Sequence, residues 1–103
     1  MTTKSNAIKF LEELDGPLSF GDMIASLRQS DQISQSALAE KLGISPQNLS
    51  DIEKGRKGVS LKKAAEFAKA MGYSEVLFVE KALQEELNRD GFNYQVHLES
   101  LPA

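Results

Sequence analysis

The sequence predicts a mainly α protein built around a five-helix domain, with an extra N-terminal helix and a short C-terminal β-strand. Two observations carry the helices. Serines stand directly before stretches whose apolar residues recur at i, i+3, i+4 and i+7, and glycines close several of those stretches. A third observation carries the strand: in FNYQVHLES, Phe92, Tyr94, Val96 and Leu98 alternate with Asn93, Gln95, His97 and Glu99. At 103 residues and 41% apolar content, the chain suits one domain with a single small core.

Taken in order, the first helix runs from about Ser5 to Leu14 with Ile8 and Leu11 inward. It stops at Asp15-Gly16-Pro17, a glycine followed by a residue that cannot continue a helix. Ser19 caps the second helix, which ends near Ser30; Asp22 stands at capping-box spacing, and Phe20, Met23, Ile24 and Leu27 face the core. Ser34 opens the third, with Leu38, Ala39 and Leu42 inward, and Gly43 supplies the positive φ that ends it. Ser45 restarts the chain as a helix at once, with Pro46 in the first turn and Leu49 and Ile52 inward. Ser60 caps a helix to Met71, closed by Gly72, whose expected inner face is Leu61, Ala64, Ala65 and Ala68. Ser74 opens the last, through Leu87, with a stripe of Val76, Val79, Ala82, Leu83 and Leu87, Phe78 on its outer margin, and Gly91 at its end. The expected boundaries are an N-terminal extension over 1–18, a central helical domain over 19–90 and a tail over 91–103.

A lone strand leaves its backbone donors and acceptors unpaired. It therefore predicts pairing with the same strand of a twofold partner, or with another protein's sheet edge. The expected dimer or partner contacts are Phe78, Leu83, Leu87, Phe92, Tyr94, Val96 and Leu98.

The net charge of −3 looks unsuited to nucleic acid until it is divided along the chain. Residues 1–33 carry three basic and five acidic side chains, residues 34–73 seven and four, and residues 74–103 two and six. A basic centre between acidic ends is the local field that phosphate binding needs, although a solvated face is the ordinary alternative. The chain has no cysteine, which excludes disulfides, thiolate metal sites and cysteine nucleophiles. Lys9, Glu12 and Glu13 interrupt any signal-peptide pattern, and no stretch approaches the ~20 apolar residues of a membrane span, so the expected location is the cytoplasm. The single histidine, His97, lacks nearby metal-ligand partners, and no hydrolase, zincin or P-loop spacing occurs. Neither an enzyme nor a metal or cofactor is expected.

Two short helices joined by a turn containing glycine, here LGISP, form a helix-turn-helix whose second helix is free to enter a DNA major groove. From about Phe20 to Gly72 the chain also resembles the lambda-repressor-like family of Cro, phage repressors and Xre regulators. An arginine is followed by SQSALAEKLGIS, LSDIEKG and SLKKAAEFAKAMG. The resemblance implies that Gln35 holds a phosphate and braces the recognition helix, and that Arg28 and Glu53 form a structural salt bridge. Removing one partner of such a buried pair costs ~3–5 kcal/mol.

Gln47, Asn48 and Asp51 are the expected base contacts, because amides bond adenine edges and an acid accepts from cytosine. Pro46 stands where the family often has a polar residue; it touches a thymine methyl or only stiffens the helix start. Lys54, Arg56 and Lys57 are expected against phosphates, with Ser50 either beside them or a small packing residue. Gln32 replaces the usual glycine before the scanning helix and Val59 the usual proline, so both loops are expected to differ in shape.

These features predict a dimeric, sequence-specific repressor on palindromic double-stranded DNA, its recognition helices about 34 Å apart. Resemblance to Xre-type antitoxins of the HigA and HipB groups implies a cognate toxin partner and an autoregulated operon. The alternative is a protein-interaction module in which Phe78, Phe92, Tyr94 and the N-terminal helix bind a basic partner.

Overall fold

A computed structural model describes residues 18–102. Among them are five helices: α1 (Phe20–Ser30), α2 (Gln35–Leu42), α3 (Pro46–Glu53), α4 (Leu61–Met71) and α5 (Glu75–Arg89). The expected helix from Ser5 to Leu14 lies outside the described residues. The chain divides into two compact units, one ending at Lys57 and the other beginning at Gly58.

Every helix begins as its serine predicts. The hydroxyls of Ser19, Ser34, Ser45, Ser60 and Ser74 each accept from the backbone N–H three residues on, at 3.0 to 3.3 Å. Each bond satisfies one of the four donors that a helix leaves open at its start. Gly43, φ 69°, closes α2, and the Ile44 N–H then reaches back to the Ala39 carbonyl at 3.0 Å.

In the first unit α3 packs on both α1 and α2. Phe20, Met23, Ile24, Leu27, Leu38, Ala39, Leu49 and Ile52 are all buried, and Leu42 is half-buried. Each fully buried leucine or isoleucine contributes roughly 1.5–3 kcal/mol. Gly21 permits the close approach of α1 to α3: a Cβ there would meet the Ile52 carbonyl oxygen and lie 2.7 Å from that of Glu53. The α1–α2 connection has a left-handed residue that is not glycine: Gln32 adopts φ 58°. A side chain in that left-handed conformation carries backbone strain.

The second unit corrects two expectations. On α4 the buried face is Ala64, Phe67, Ala68 and Met71, while Leu61 is 38% exposed and Ala65 half-buried. On α5 the buried residues are Phe78 and Ala82, with Val76, Val79, Leu83 and Leu87 half-buried. Phe78 is fully buried and stacks on Tyr73, ring centroids 5.9 Å apart, so it is a core residue and is not available as a dimer or partner contact. Its ring fills the interior where the sequence placed a smaller stripe.

The expected C-terminal strand is not formed; no strand occurs among the described residues. A strand requires a backbone ladder, and here the tail is bonded to side chains of α5 instead. The Gln84 amide donates to the Tyr94 carbonyl at 2.7 Å and accepts from the Val96 N–H at 2.7 Å. The Glu80 carboxylate accepts from the Leu98 N–H at 2.9 Å.

Candidate nucleic-acid interface

The α2-turn-α3 segment of the first unit sets out the candidate surface. Leu49 and Ile52, three residues apart, are buried; this turns Gln47 and Pro46 outward and leaves Asn48, Ser50 and Asp51 half-buried. Lys54, Arg56 and Lys57 follow directly, all exposed. Gly55, φ 76°, turns the chain there, and the Asp51 carbonyl accepts from the Arg56 N–H at 2.8 Å. The basic cluster is thereby held at the C-terminal end of α3.

Behind this surface, Glu53 is a buried junction. Its carboxylate accepts from Arg28 Nε at 2.7 Å and from a terminal guanidinium nitrogen at 3.1 Å. Arg28 also donates to the Ile33 carbonyl at 2.9 Å. Gln35 donates its amide to the same carboxylate at 3.0 Å. One carboxylate therefore joins α1, the first turn of α2 and the last turn of α3, and such charge-assisted bonds are about twice as strong as neutral ones. The Gln35 amide nitrogen is turned inward onto Glu53.

On the outer side, Gln47 donates its amide to Asp51 Oδ1 at 3.1 Å, and Arg56 approaches the same oxygen at 3.5 Å. A carboxylate only accepts, so Asp51 fixes which end of the Gln47 amide faces it. The Gln47 carbonyl is left as an acceptor, suited to an exocyclic amino group. The i, i+4 spacing of Gln47 and Asp51 is a sequence signal for this bond. Asn48 differs from its neighbours: its Oδ1 is buried and has no hydrogen-bond partner among the described residues. Its amide oxygen does not face outward.

The tail residues expected at a partner surface are divided. Phe92 and Tyr94 are 50% and 66% exposed and stack on each other at 5.6 Å, whereas Val96 and Leu98 are half-buried. Gln84 and Glu80 hold Tyr94, Val96 and Leu98, and nothing in a polar helix face announces a bond to a segment ten or more residues away. His97 lies 3.8 Å from both Glu80 and Glu99, and no group of His, Asp or Glu suited to a metal occurs among the described residues. No helix among them is long and apolar enough to cross a membrane.

Comparison with known proteins matches this geometry to a family. A family model described as helix-turn-helix matches residues 24–78. Among solved structures, the clp gene regulator ClgR from C. glutamicum is similar, at 32% identity and a TM-score of 0.55 over 64% of this chain and 86% of that one. No curated protein matches. With more than half its length matched by the family model, the chain belongs to the helix-turn-helix family.

Proposed function

We propose that this helix-turn-helix protein, a DNA-binding transcriptional regulator, is a dimeric repressor of its own operon, and that it serves as the antitoxin of a toxin–antitoxin pair. The observation that carries the DNA-binding part is the outer side of α3, where Gln47 and Asp51 are followed at once by exposed Lys54, Arg56 and Lys57. Polar groups that suit base edges thus sit beside cations that suit phosphates, which is the division of labour in a recognition helix. In this reading Gln47 contacts a base through its carbonyl, and Asp51 orients Gln47 while offering its own acceptor. Asn48 contacts DNA through its amide nitrogen, and Pro46 lies at the groove wall. Ser50, Lys54, Arg56 and Lys57 hold phosphates. Gln35 acts behind them by bracing Glu53. ClgR, named as a gene regulator, supports the regulatory role.

The antitoxin role rests on organisation: a basic centre over 34–73, an N-terminal extension over 1–18, and an acidic C-terminal part over 74–103 with six acidic and two basic side chains, which suit contact with a protein partner. Replacing both Gln47 and Asn48 by alanine is expected to weaken binding to the upstream region of its own operon by at least tenfold at physiological salt, with the thermal melt preserved. Each good base contact is worth ~1–3 kcal/mol. Unchanged binding in a gel-shift titration refutes the recognition-helix assignment. Co-purification of the neighbouring gene product, and its neutralisation in cells, tests the antitoxin role separately.

A further inference from the structure

Residues 74–103 carry six acidic side chains and only two basic ones, Lys81 and Arg89. Arg89 stands in the last turn of α5, where the open carbonyls of a helix end favour a cation. That local effect explains a basic residue there, but not the direction its side chain takes. Carboxylates are at hand in its own turn: Glu85 and Glu86 precede it at helical pairing distance, and Asp90 follows it. Arg89 pairs with none of them, and among the described residues its guanidinium has no hydrogen-bond or ion-pair partner. The tip of the side chain lies instead on Gly58, in the same compact unit. A Cβ at Gly58 would stand 2.9 Å and 3.4 Å from its two terminal nitrogens and 3.6 Å from Cζ. Only a residue without a side chain lets the guanidinium settle there. Both residues are exposed, so the donors of the fork are left open.

Gly58 follows Lys57 directly, one Cα spacing of about 3.8 Å away. It ends the most basic stretch of the chain, in which Lys54, Arg56 and Lys57 are all exposed. Arg89 thus passes over the carboxylates of its own turn and brings a further positive charge to the edge of a cationic segment. Like charges gathered in this way repel one another, and an anion shared among them turns the arrangement favourable. We propose that Arg89 holds a phosphate of the DNA backbone, adding a contact from α5 to those of the helix-turn-helix. The proposal rests on the DNA reading above and on its assignment of Lys57 to a phosphate. A guanidinium suits the task, because its planar fork meets two phosphate oxygens at once and never loses its charge. The contact positions the chain on the duplex and reads no base. It also separates the two cations of the acidic segment: Arg89 belongs to the DNA surface and Lys81 does not.

Arg89→Gln removes the charge and keeps a polar side chain. Anisotropy titrations of a labelled duplex from upstream of its own operon, between about 50 and 200 mM salt, read the slope of log affinity against log salt. Arg89→Gln is expected to make that slope shallower by about 0.9 per bound copy, so that affinity lost over the range is about 3.5-fold less than in the parent. The same change is expected on a duplex of unrelated sequence, since a phosphate contact carries no sequence information. Arg89→Lys is expected to keep the parent slope, and Lys81→Gln to leave it unaltered. A role confined to the end of α5 would lower the thermal melt of Arg89→Gln and leave its slope alone. A parental slope in Arg89→Gln, with that of Lys57→Ala made shallower, overturns this contact and leaves the DNA reading standing. Equal changes in Arg89→Gln and Lys81→Gln overturn it as well, as does a shallower slope that light scattering traces to a changed oligomeric state. A parent protein that binds neither duplex overturns both readings.

Discussion

Gln32 shows at the scale of one residue how a fold accommodates an unfavourable backbone conformation. Its φ of 58° is the conformation that a glycine would adopt at no steric cost, and a side chain there costs roughly 1 kcal/mol or more. The connection nonetheless holds, since the Ile33 N–H bonds to the Arg28 carbonyl at 3.0 Å and the Ile33 carbonyl accepts from the Arg28 guanidinium. Gln32→Gly is accordingly expected to stabilise the chain by about 1 kcal/mol, a rise in Tm of roughly 4–8 °C in a thermal melt. An unchanged or lowered Tm shows that the position is not strained. The Arg28 and Glu53 pair belongs to the same scale, and its burial ties its cost of removal to the stranded partner.

Between elements, the contact of α1 with α3 is decided by Gly21. Any side chain there meets the backbone carbonyls of Ile52 and Glu53, which cannot move without shifting the end of the recognition helix. Gly21→Ala is expected to lose about 3 kcal/mol to overpacking, offset by about 1 kcal/mol of helix propensity. The Tm should fall by roughly 10 °C, and DNA affinity should fall further than the melt explains because α3 is displaced. Retained Tm and affinity together would contradict the close approach. Nothing in the sequence marked Gly21, since a glycine inside a helical pattern reads first as a weak position.

For the whole molecule the deciding quantity is where charge lies, not its total. The net charge is −3, yet residues 34–73 carry an excess of basic side chains. If Lys57 holds a phosphate, Lys57→Ala should make the slope of log affinity against log salt shallower by about 0.9, since one fewer counterion is released. Lys81→Ala, in the acidic part of the chain, should leave that slope unchanged. Anisotropy titrations of the operon's upstream DNA across a salt series measure both, and equal effects would refute a local footprint.

The sequence by itself determined the five described helices, their serine caps, the glycine that closes α2 and the inward Leu49 and Ile52 of α3, because caps and helical periods are interactions within about four residues. Tertiary structure alone decided the rest. It buried Phe67, Met71 and Phe78 where smaller or other residues seemed sufficient, turned the Gln35 amide onto Glu53, and laid the tail on Gln84 and Glu80 in place of a ladder. Each of these depends on which distant group comes within bonding distance. An apolar stripe or an alternating segment states that a face will be covered, and only the packed chain supplies what covers it.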